Sequence, residues 1–188
     1  STRKDVMIFD TDQHPRDNIS MGTLGKLRPV FREDGTVTAG NASGINAGAA
    51  ALVLMEERAA ERNHHQPVAR LVAYGHAGVD PRYMGIGPVP AVRPAPNRAG
   101  HGLADIDVIE SNEAFAVQAC AVARELDFDP NKVNPNGGAV ALGHPIGASG
   151  CILAIKAIYE LRRINGRYAL VTLCIGGGQG IAAIFEKL

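Results

Sequence analysis

Hydrophobic and polar positions in this chain form short blocks that predict alternating strands and helices from residue 66 to the end. Strand-like blocks, which are apolar or alternate in polarity, lie at 68–74, 106–109 and in two segments after Arg167. Helix-like blocks, with apolar residues three or four positions apart, lie at 113–126 and 147–164. Strands that alternate with helices predict a layered α/β domain with a mixed, mostly parallel sheet over residues 66–188.

The first third of the chain has a different pattern. Residues 1–46 are polar and irregular, and the Gly/Asn/Ser-rich stretch 38–44 predicts a loop. Residues 47–55 are small and apolar and 56–63 are charged, which predicts a buried strand that runs into a short helix, with helix throughout as the alternative. A further short helix is predicted over 88–99, although its prolines lack the backbone donor that a helix interior uses.

Composition places the chain among soluble globular proteins, with 46% hydrophobic and 20% charged residues among 188. Lys and Arg total 19 and Asp and Glu total 19, so no bulk positive field favours a nucleic acid or a membrane surface as partner. An anionic ligand therefore has to be bound locally. The uncharged run 168–185 predicts strand, turn and strand rather than a transmembrane helix, because the glycines of 176–180 interrupt it.

Three cysteines, Cys120, Cys151 and Cys174, are an odd number without the paired spacing of a metal site. They predict reduced thiols in a cytoplasmic location and no metal centre. Cys120 and Cys151 lie within predicted helices and are predicted to be core residues. The chain opens with charged residues and without Met, which predicts no secretory signal and a missing N-terminal part.

Three polar side chains stand at predicted element boundaries, where short turns expose functional groups. Asn112 follows a predicted strand and precedes a helix, so a helix N-cap is its alternative role. His144 lies in the glycine-rich loop 134–150, which opens onto a helix whose N-terminal amides suit an oxyanion. Pro145 keeps His144 out of helical geometry. A purely structural turn is the alternative for this loop.

Cys174 ends the apolar run 169–173 and precedes a cluster of glycines. Most cysteines in such positions are small buried hydrophobic residues. The glycines also favour a functional interpretation, since they let a substrate approach the thiol. They leave the Gly176 N–H free to donate to a developing oxyanion.

Taken together, three motifs resemble the C-terminal signature blocks of the thiolase family, in order and in spacing. They are Asn-Glu-Ala-Phe at 112–115, Gly-His-Pro-Ile-Gly-Ala-Ser-Gly at 143–150 and Cys-Ile-Gly-Gly-Gly-Gln-Gly at 174–180. Residues 36–46 are similar to the pantetheine-contacting loop of that family. The resemblance covers essentially the whole chain.

The resemblance implies a thiolase-like layered α/β/α fold and a division of the chain into three parts. Residues 1–46 would be the end of the CoA-binding loop domain. Residues 47–65 would be the last strand and helix of the N-terminal domain, and 66–188 the C-terminal domain.

The resemblance also implies a role for each group. Cys174 matches the cysteine that moves a proton at the carbon to be joined or cleaved. His144 matches the imidazole that activates the nucleophile and donates to the thioester oxygen. Asn112 matches the residue that holds a water in the same oxyanion hole, and Gly176 the backbone donor of the other hole.

For coenzyme A, Ser43 and Gly44 match the loop that lines the pantetheine arm, with Ala39 nearby. Arg16 and Thr23 match contacts to the adenine nucleotide. Coenzyme A and acyl-CoA would be substrates, and no tightly bound cofactor is expected.

The implied activity is an acyltransferase reaction, either condensation of two acyl-CoA molecules to a 3-ketoacyl-CoA or its thiolysis. No cysteine here has the context of the family's N-terminal nucleophile, so this chain alone is predicted to be inactive. The predicted partners are the N-terminal half of a thiolase and further copies of the chain in a dimer or tetramer. Asn46 stands where many relatives carry Asp, and the proline-rich stretch 93–98 departs from the usual helix pattern.

Two functions from other classes compete with this interpretation. A non-catalytic acyl-CoA or lipid-carrier module would have no need of Asn112, His144 and Cys174 together. A dinucleotide-binding domain would need a helix after its glycines and an acidic residue downstream, and the cluster 176–180 has neither.

Overall fold

A four-stranded sheet with the strand order β1-β4-β3-β2 organises the computed structural model, which describes residues 8–12 and 14–188. The strands are β1 (Ala69–Gly78), β2 (Val108–Ser111), β3 (Tyr168–Ile175) and β4 (Gln179–Lys187). The predicted α/β class with a mixed sheet is confirmed. The prediction that the sheet is mostly parallel was wrong. Two of its strand pairs are antiparallel, and only the pair of β2 and β3 is parallel. The short turn between β3 and β4 forces them to run in opposite directions.

Helices cover both faces of this sheet. The helices of the described residues are α1 (Met21–Leu24), α2 (Glu57–Arg62), α3 (Pro88–Val92), α4 (Ala95–Arg98), α5 (Ala116–Glu125), α6 (Ala139–Leu142) and α7 (Ser149–Ile164), with 3₁₀ turns at Pro81–Ile86 and Leu103–Asp105. Of these, α7 covers one face of the sheet and α3, α4 and α5 the other. The predicted helix over 88–99 divides into α3 and α4 around Pro94, which has no N–H to continue the first helix. The long helix α7 ends at Asn165 in left-handed geometry.

Two hydrophobic clusters hold these layers together, one on each face of the sheet. The α7 face contains Leu153, Ala157, Leu161, Val108, Ala169 and Val171. The opposite face packs α3, α4 and α5 on the sheet through Val89, Val92, Ala95, Val122, Leu170 and Ile184 among others. Strand β3 contributes alternate side chains to both clusters, because successive residues of a strand point to opposite faces. This explains its continuous apolar run.

Two glycines bring α3 onto the sheet at backbone contact. A side chain at Gly75 of β1 would collide with the carbonyl oxygen of Ala91, and one at Gly180 of β4 with that of Gly87. Small residues at both positions therefore set the distance between helix and sheet.

The predicted buried strand at 47–55 was wrong. This segment has no regular secondary structure, and its apolar side chains face solvent, with Val53 91% and Leu54 75% exposed. A strand requires hydrogen bonds to a neighbour, and none of the strands in the described part of the chain pairs with 47–55. The short helix predicted after it is present as α2.

The cysteine predictions were partly wrong. Cys120 is exposed rather than in the core, because it lies on the outer face of α5, whose buried residues are Gln118 and Val122. Cys151 is half-buried. Within residues 8–12 and 14–188, no helix is long and apolar enough to cross a bilayer.

We expect Gly75→Ala to lower the free energy of unfolding by about 1–3 kcal/mol, because the added methyl group forces α3 away from the sheet. Gly150→Ala is the matched control, since this glycine lies in α7 with no atom within 4 Å of an added methyl group. The control should raise stability by about 0.5–1 kcal/mol. Urea unfolding monitored by circular dichroism measures both, and equal effects would contradict the close approach.

Candidate active site

The site begins where two parallel strands end at the same edge of the sheet. Ser111 of β2 pairs with Thr172 of β3, and the next residue, Asn112, donates its backbone N–H to the Thr172 carbonyl at 3.0 Å. Helix α5 starts only at Ala116, with Phe115 as its N-cap. The alternative role of Asn112 as a helix cap was therefore wrong. Asn112 is only 3% exposed, and its side chain makes its contacts inside the protein rather than with the helix.

The side-chain partner of Asn112 is His144, whereas the resemblance had implied a water held by Asn112 in the same oxyanion hole. The Asn112 Nδ2 atom lies 3.3 Å from His144 Nε2. The His144 backbone N–H faces the Gly44 carbonyl at 3.0 Å and the Asn46 side-chain oxygen at 3.2 Å. The Asn112 contact holds the loop between α6 and α7 against the end of β2, and the two backbone contacts hold it against Gly44 and Asn46.

Ser149 determines which nitrogen of His144 carries the proton. Its hydroxyl lies 2.6 Å from His144 Nδ1 and donates to the Pro145 carbonyl at 3.0 Å. A hydroxyl has one hydrogen, so with that hydrogen on Pro145 it must accept from Nδ1–H. His144 Nε2 is then unprotonated and accepts from the Asn112 amide. This tautomer is assigned from the hydrogen-bond network.

The neutral state of His144 follows from its surroundings. Burial lowers the pKa of the imidazole below its ordinary value of 6.5, because removal from water disfavours the charged form. At neutral pH the ring therefore presents an unprotonated Nε2, as a general base requires.

Glu113 and Asn134 fix the loop that leads to His144. The Asn134 side chain accepts from the Ser111 N–H and donates to the Ser111 carbonyl, both at 2.9 Å. It also donates to Glu113 at 2.9 Å, and the second Glu113 oxygen accepts the Val140 N–H at 3.2 Å. Every link joins the loop to the chain around Asn112.

Sequence reasoning missed Ser149, Glu113 and Asn134 as parts of this site. All three lie inside or beside the motifs that were singled out, so proximity was the available signal. Their partners became apparent only from the fold.

The predicted pantetheine loop docks beside the same group. Ser43 directs both its N–H and its hydroxyl to the Ala114 carbonyl, each at 3.0 Å. Gly44 accepts from the His144 backbone. Ala39 is exposed in the preceding turn. Residues 43 and 44 are thus adjacent to Asn112 and His144.

The two residues matched to the adenine nucleotide lie outside this group. Arg16 is exposed in an irregular segment. Thr23 is also exposed, and its hydroxyl takes part in the N-terminal cap of α1 with Ser20. In the described residues, no hydrogen bond joins either of them to Asn112 or His144.

Cys174 and Gly176 lie at the end of β3, next to the strand that carries Asn112. Cys174 is half-buried and pairs with Gly180, and burial raises the pKa of its thiol. No hydrogen bond joins Cys174 to His144 within the described chain. Gly176 is exposed with no atom within 4 Å of an added side chain. Gly177 and Gly178 have positive φ angles of 85° and 86°, which let the turn close.

Comparison with known proteins identifies the family. Residues 65–187 match the family model for the thiolase C-terminal domain, and residues 1–58 match that for the thiolase N-terminal domain. The chain belongs to the thiolase family. It is 63% identical over 187 residues to beta-ketothiolase BktB of Cupriavidus necator, and 54% identical over 187 residues to an acetyl-CoA acetyltransferase of Escherichia coli. These alignments cover 99% and 100% of this chain and 48% of each relative.

Solved thiolase structures agree with the fold. The Bacillus anthracis acetyl-CoA acetyltransferase has a TM-score of 0.92 and 50% identity, over 100% of this chain and 48% of that one. Human mitochondrial 3-ketoacyl-CoA thiolase in complex with CoA has a TM-score of 0.88 and 49% identity, over 96% and 46%. The chain spans about half the length of the curated relatives it matches.

We expect Ser149→Ala to change the tautomer of His144 in this thiolase chain, because Nδ1–H loses its acceptor. Long-range ¹H–¹⁵N correlation spectra should show protonated Nδ1 in the unsubstituted chain and a mixture of both forms in the variant. The wild-type ring should titrate with a midpoint below pH 6.5, its ordinary value. Ser149→Thr keeps the hydroxyl and serves as the control. An Nε2–H ring in the unsubstituted chain would contradict the assignment.

We expect Cys174 to react with iodoacetamide more slowly than Cys120 at pH 7.5. The thiolate is the reactive form, and Cys174 is half-buried with a raised pKa, whereas Cys120 is exposed. Peptide mass spectrometry over a time course compares the two within one sample. Faster labelling of Cys174 would show that its thiol is activated rather than suppressed.

Proposed function

We propose that this chain is the acid/base half of an enzyme that joins two acyl-CoA molecules or cleaves a 3-ketoacyl-CoA with coenzyme A. The contact between Asn112 and His144 carries the proposal, because it supplies a hydrogen-bond donor and a neutral imidazole at one point. The relatives are named acetyl-CoA acetyltransferase, beta-ketothiolase and 3-ketoacyl-CoA thiolase, which supports the same chemistry.

His144 has two successive tasks in the proposed reaction. Its unprotonated Nε2 first takes the proton of an attacking thiol. The resulting Nε2–H then donates to the thioester oxygen, where negative charge develops as the thiolate attacks. Asn112 contributes its amide to the same oxygen, through the water that the family resemblance implies. The Nδ1–H bond to Ser149 keeps the ring in one orientation throughout.

Cys174 transfers the proton at the α-carbon in this proposal. In thiolysis the carbon–carbon bond breaks and leaves an enolate, which takes the thiol proton of Cys174. In condensation the thiolate removes that proton from the α-carbon. Burial raises the Cys174 pKa, which favours the proton-donating form at rest. Gly176 N–H would stabilise the enolate oxygen.

Coenzyme A would lie along the loop 36–46, which contacts the His144 backbone. Gly44 bonds to the His144 backbone and Ser43 to the Ala114 carbonyl, and Ala39 precedes them, so we assign these residues to the pantetheine arm. The solvent-facing Arg16 and Thr23 would meet the adenine nucleotide, where a single guanidinium suits a phosphate. A similar human thiolase was solved in complex with CoA, which supports this ligand.

The nucleophile that carries the acyl group would come from a polypeptide segment outside this sequence. The partner is the remaining part of a thiolase N-terminal domain, since the chain spans about half the length of its relatives. Residues 47–55 would contact that partner, because their apolar side chains are exposed. The chain alone would form no acyl-enzyme. We further propose a homo-oligomeric assembly and a cytoplasmic location, the latter because all three cysteines are free.

Thiolysis of acetoacetyl-CoA by this chain, with and without a complementary N-terminal thiolase segment, tests the proposal. We expect turnover only in the combination. His144→Ala and Cys174→Ala should each lower kcat by about a hundredfold or more, as loss of a general acid or base does. Cys120→Ala, an exposed thiol on α5, is the control and should retain full activity.

Binding measurements distinguish the proposal from its main competitor. If the complemented His144→Ala and Cys174→Ala variants both kept full turnover, the assigned roles of His144 and Cys174 would be wrong. If the complemented protein bound coenzyme A in calorimetry but formed no product, a non-catalytic acyl-CoA module would be the better description. Acyl labelling of the isolated chain would contradict its assignment as half a site.

A further inference from the structure

A lysine beneath the site joins the two backbone segments that carry Asn112 and His144. Lys156 lies on α7, and its Nζ donates to the carboxylate of Glu110 at 2.8 Å. The same ammonium donates to the Gly137 carbonyl. One charged group therefore contacts both the end of β2 and the loop that leads to His144.

Burial makes this contact unusual. Glu110 is 0% exposed and the Lys156 side chain is 18% exposed. Most salt bridges on this chain have at least one mainly exposed partner, as in Arg70 with Glu57. Removal of two charges from water costs free energy that can exceed their attraction, so burial of this pair is weak evidence for a stabilising role and is compatible with a positioning one.

Lys156 is the polar partner of the buried Glu110 side chain within the described residues. Its Oε2 accepts from the ammonium, while its Oε1 is buried without a hydrogen-bond partner among the described residues. Burial raises the Glu110 pKa and the lysine opposes that rise. The lysine therefore opposes the effect of burial on the carboxyl group and fixes its direction.

Strand geometry connects Glu110 to Asn112. The two residues are separated by one position on an extended segment, so they lie on the same face, the one covered by α7. Lys156 also lines a small cavity of about 30 Å³ together with Asn112, Gly143 and Ser149. Lys156 is thus near the groups that orient the imidazole, and none of its hydrogen bonds in the described chain is to them.

The loop end of the bridge supplies the second constraint. Gly137 has a φ of +83° and precedes Gly138, where a side chain would collide with the Glu113 carboxylate. The Gly137 N–H donates to the Asn134 carbonyl within the loop, and the Lys156 ammonium on the Gly137 carbonyl ties this backbone to α7. A shift at Gly137 would move the chain that continues to His144.

We propose that Lys156 is a positioning residue, which sets the distance between the Asn112 amide and the His144 imidazole by tying Glu110 to the Gly137 carbonyl. The proposal rests on the proposed function for its catalytic consequence. Its structural consequence can be measured on this chain without turnover.

The first test compares Lys156→Met with Lys132→Met by NMR on this chain. Lys132 is a matched control, because its ammonium also bridges two acceptors, the backbone carbonyls of Ala104 and Ile106, at the other end of β2. We expect the Asn112 side-chain amide and the His144 ring signals, assigned with His144→Gln, to shift in Lys156→Met alone. Unchanged signals in a folded Lys156→Met chain would overturn the proposal.

The double variant Glu110→Gln with Lys156→Met addresses the case in which the single variant fails to fold. It removes both charges and so leaves no unpaired carboxylate, but it also lacks the tie to Gly137. We expect it to fold and still to show the shifted Asn112 and His144 signals. Wild-type signals in the folded double variant would show that the pair acts on stability alone.

Turnover of the complemented enzyme completes the test. In Lys156→Met, displacement of His144 relative to Asn112 should lower kcat about tenfold to a hundredfold, while KM for coenzyme A stays near that of wild type. Lys132→Met should leave both constants unchanged. If the unsubstituted complemented enzyme does not cleave acetoacetyl-CoA, the proposed function fails, whereas the NMR comparison still decides the role of Lys156.

Discussion

The parallel pairing of β2 with β3 determines where each group of the site can lie. It places the ends of two strands side by side, so Asn112 and Cys174 reach the same edge from chain segments far apart in sequence. The Thr172 carbonyl then holds the backbone of Asn112 where β2 ends. Ligands of open α/β sheets bind at this edge because the loops there are free to vary while the strands stay fixed.

The chemistry of the site depends on proton location more than on charge. The chain has a formal net charge of zero, and the Asn112–His144 contact is between neutral groups. The single hydrogen of the Ser149 hydroxyl makes the two nitrogens of the ring inequivalent. A neutral base with one defined electron pair results, and burial keeps it in that state at neutral pH.

Sequence patterns were informative wherever the relevant physics is local. Periodicity located most strands and helices, and the motifs around Asn112 and His144 indicated side chains that the fold does bring together. Partners set by tertiary contacts were not accessible, which is why Ser149 and Lys156 were missed. The predictions that 47–55 and Cys120 are buried were wrong for the same reason, since exposure depends on which neighbours pack against a segment.

The exposed segment 47–55 has a consequence for the behaviour of this polypeptide in solution. It contains nine successive residues without a charge or a proline, several of them long aliphatic, and most of them are exposed. Such a segment can add to a copy of itself as cross-β structure. The adjoining Glu56, Glu57 and Arg58 resemble the gatekeeper charges that flank aggregation-prone stretches. Colloidal solubility of the isolated chain should therefore depend on those three residues.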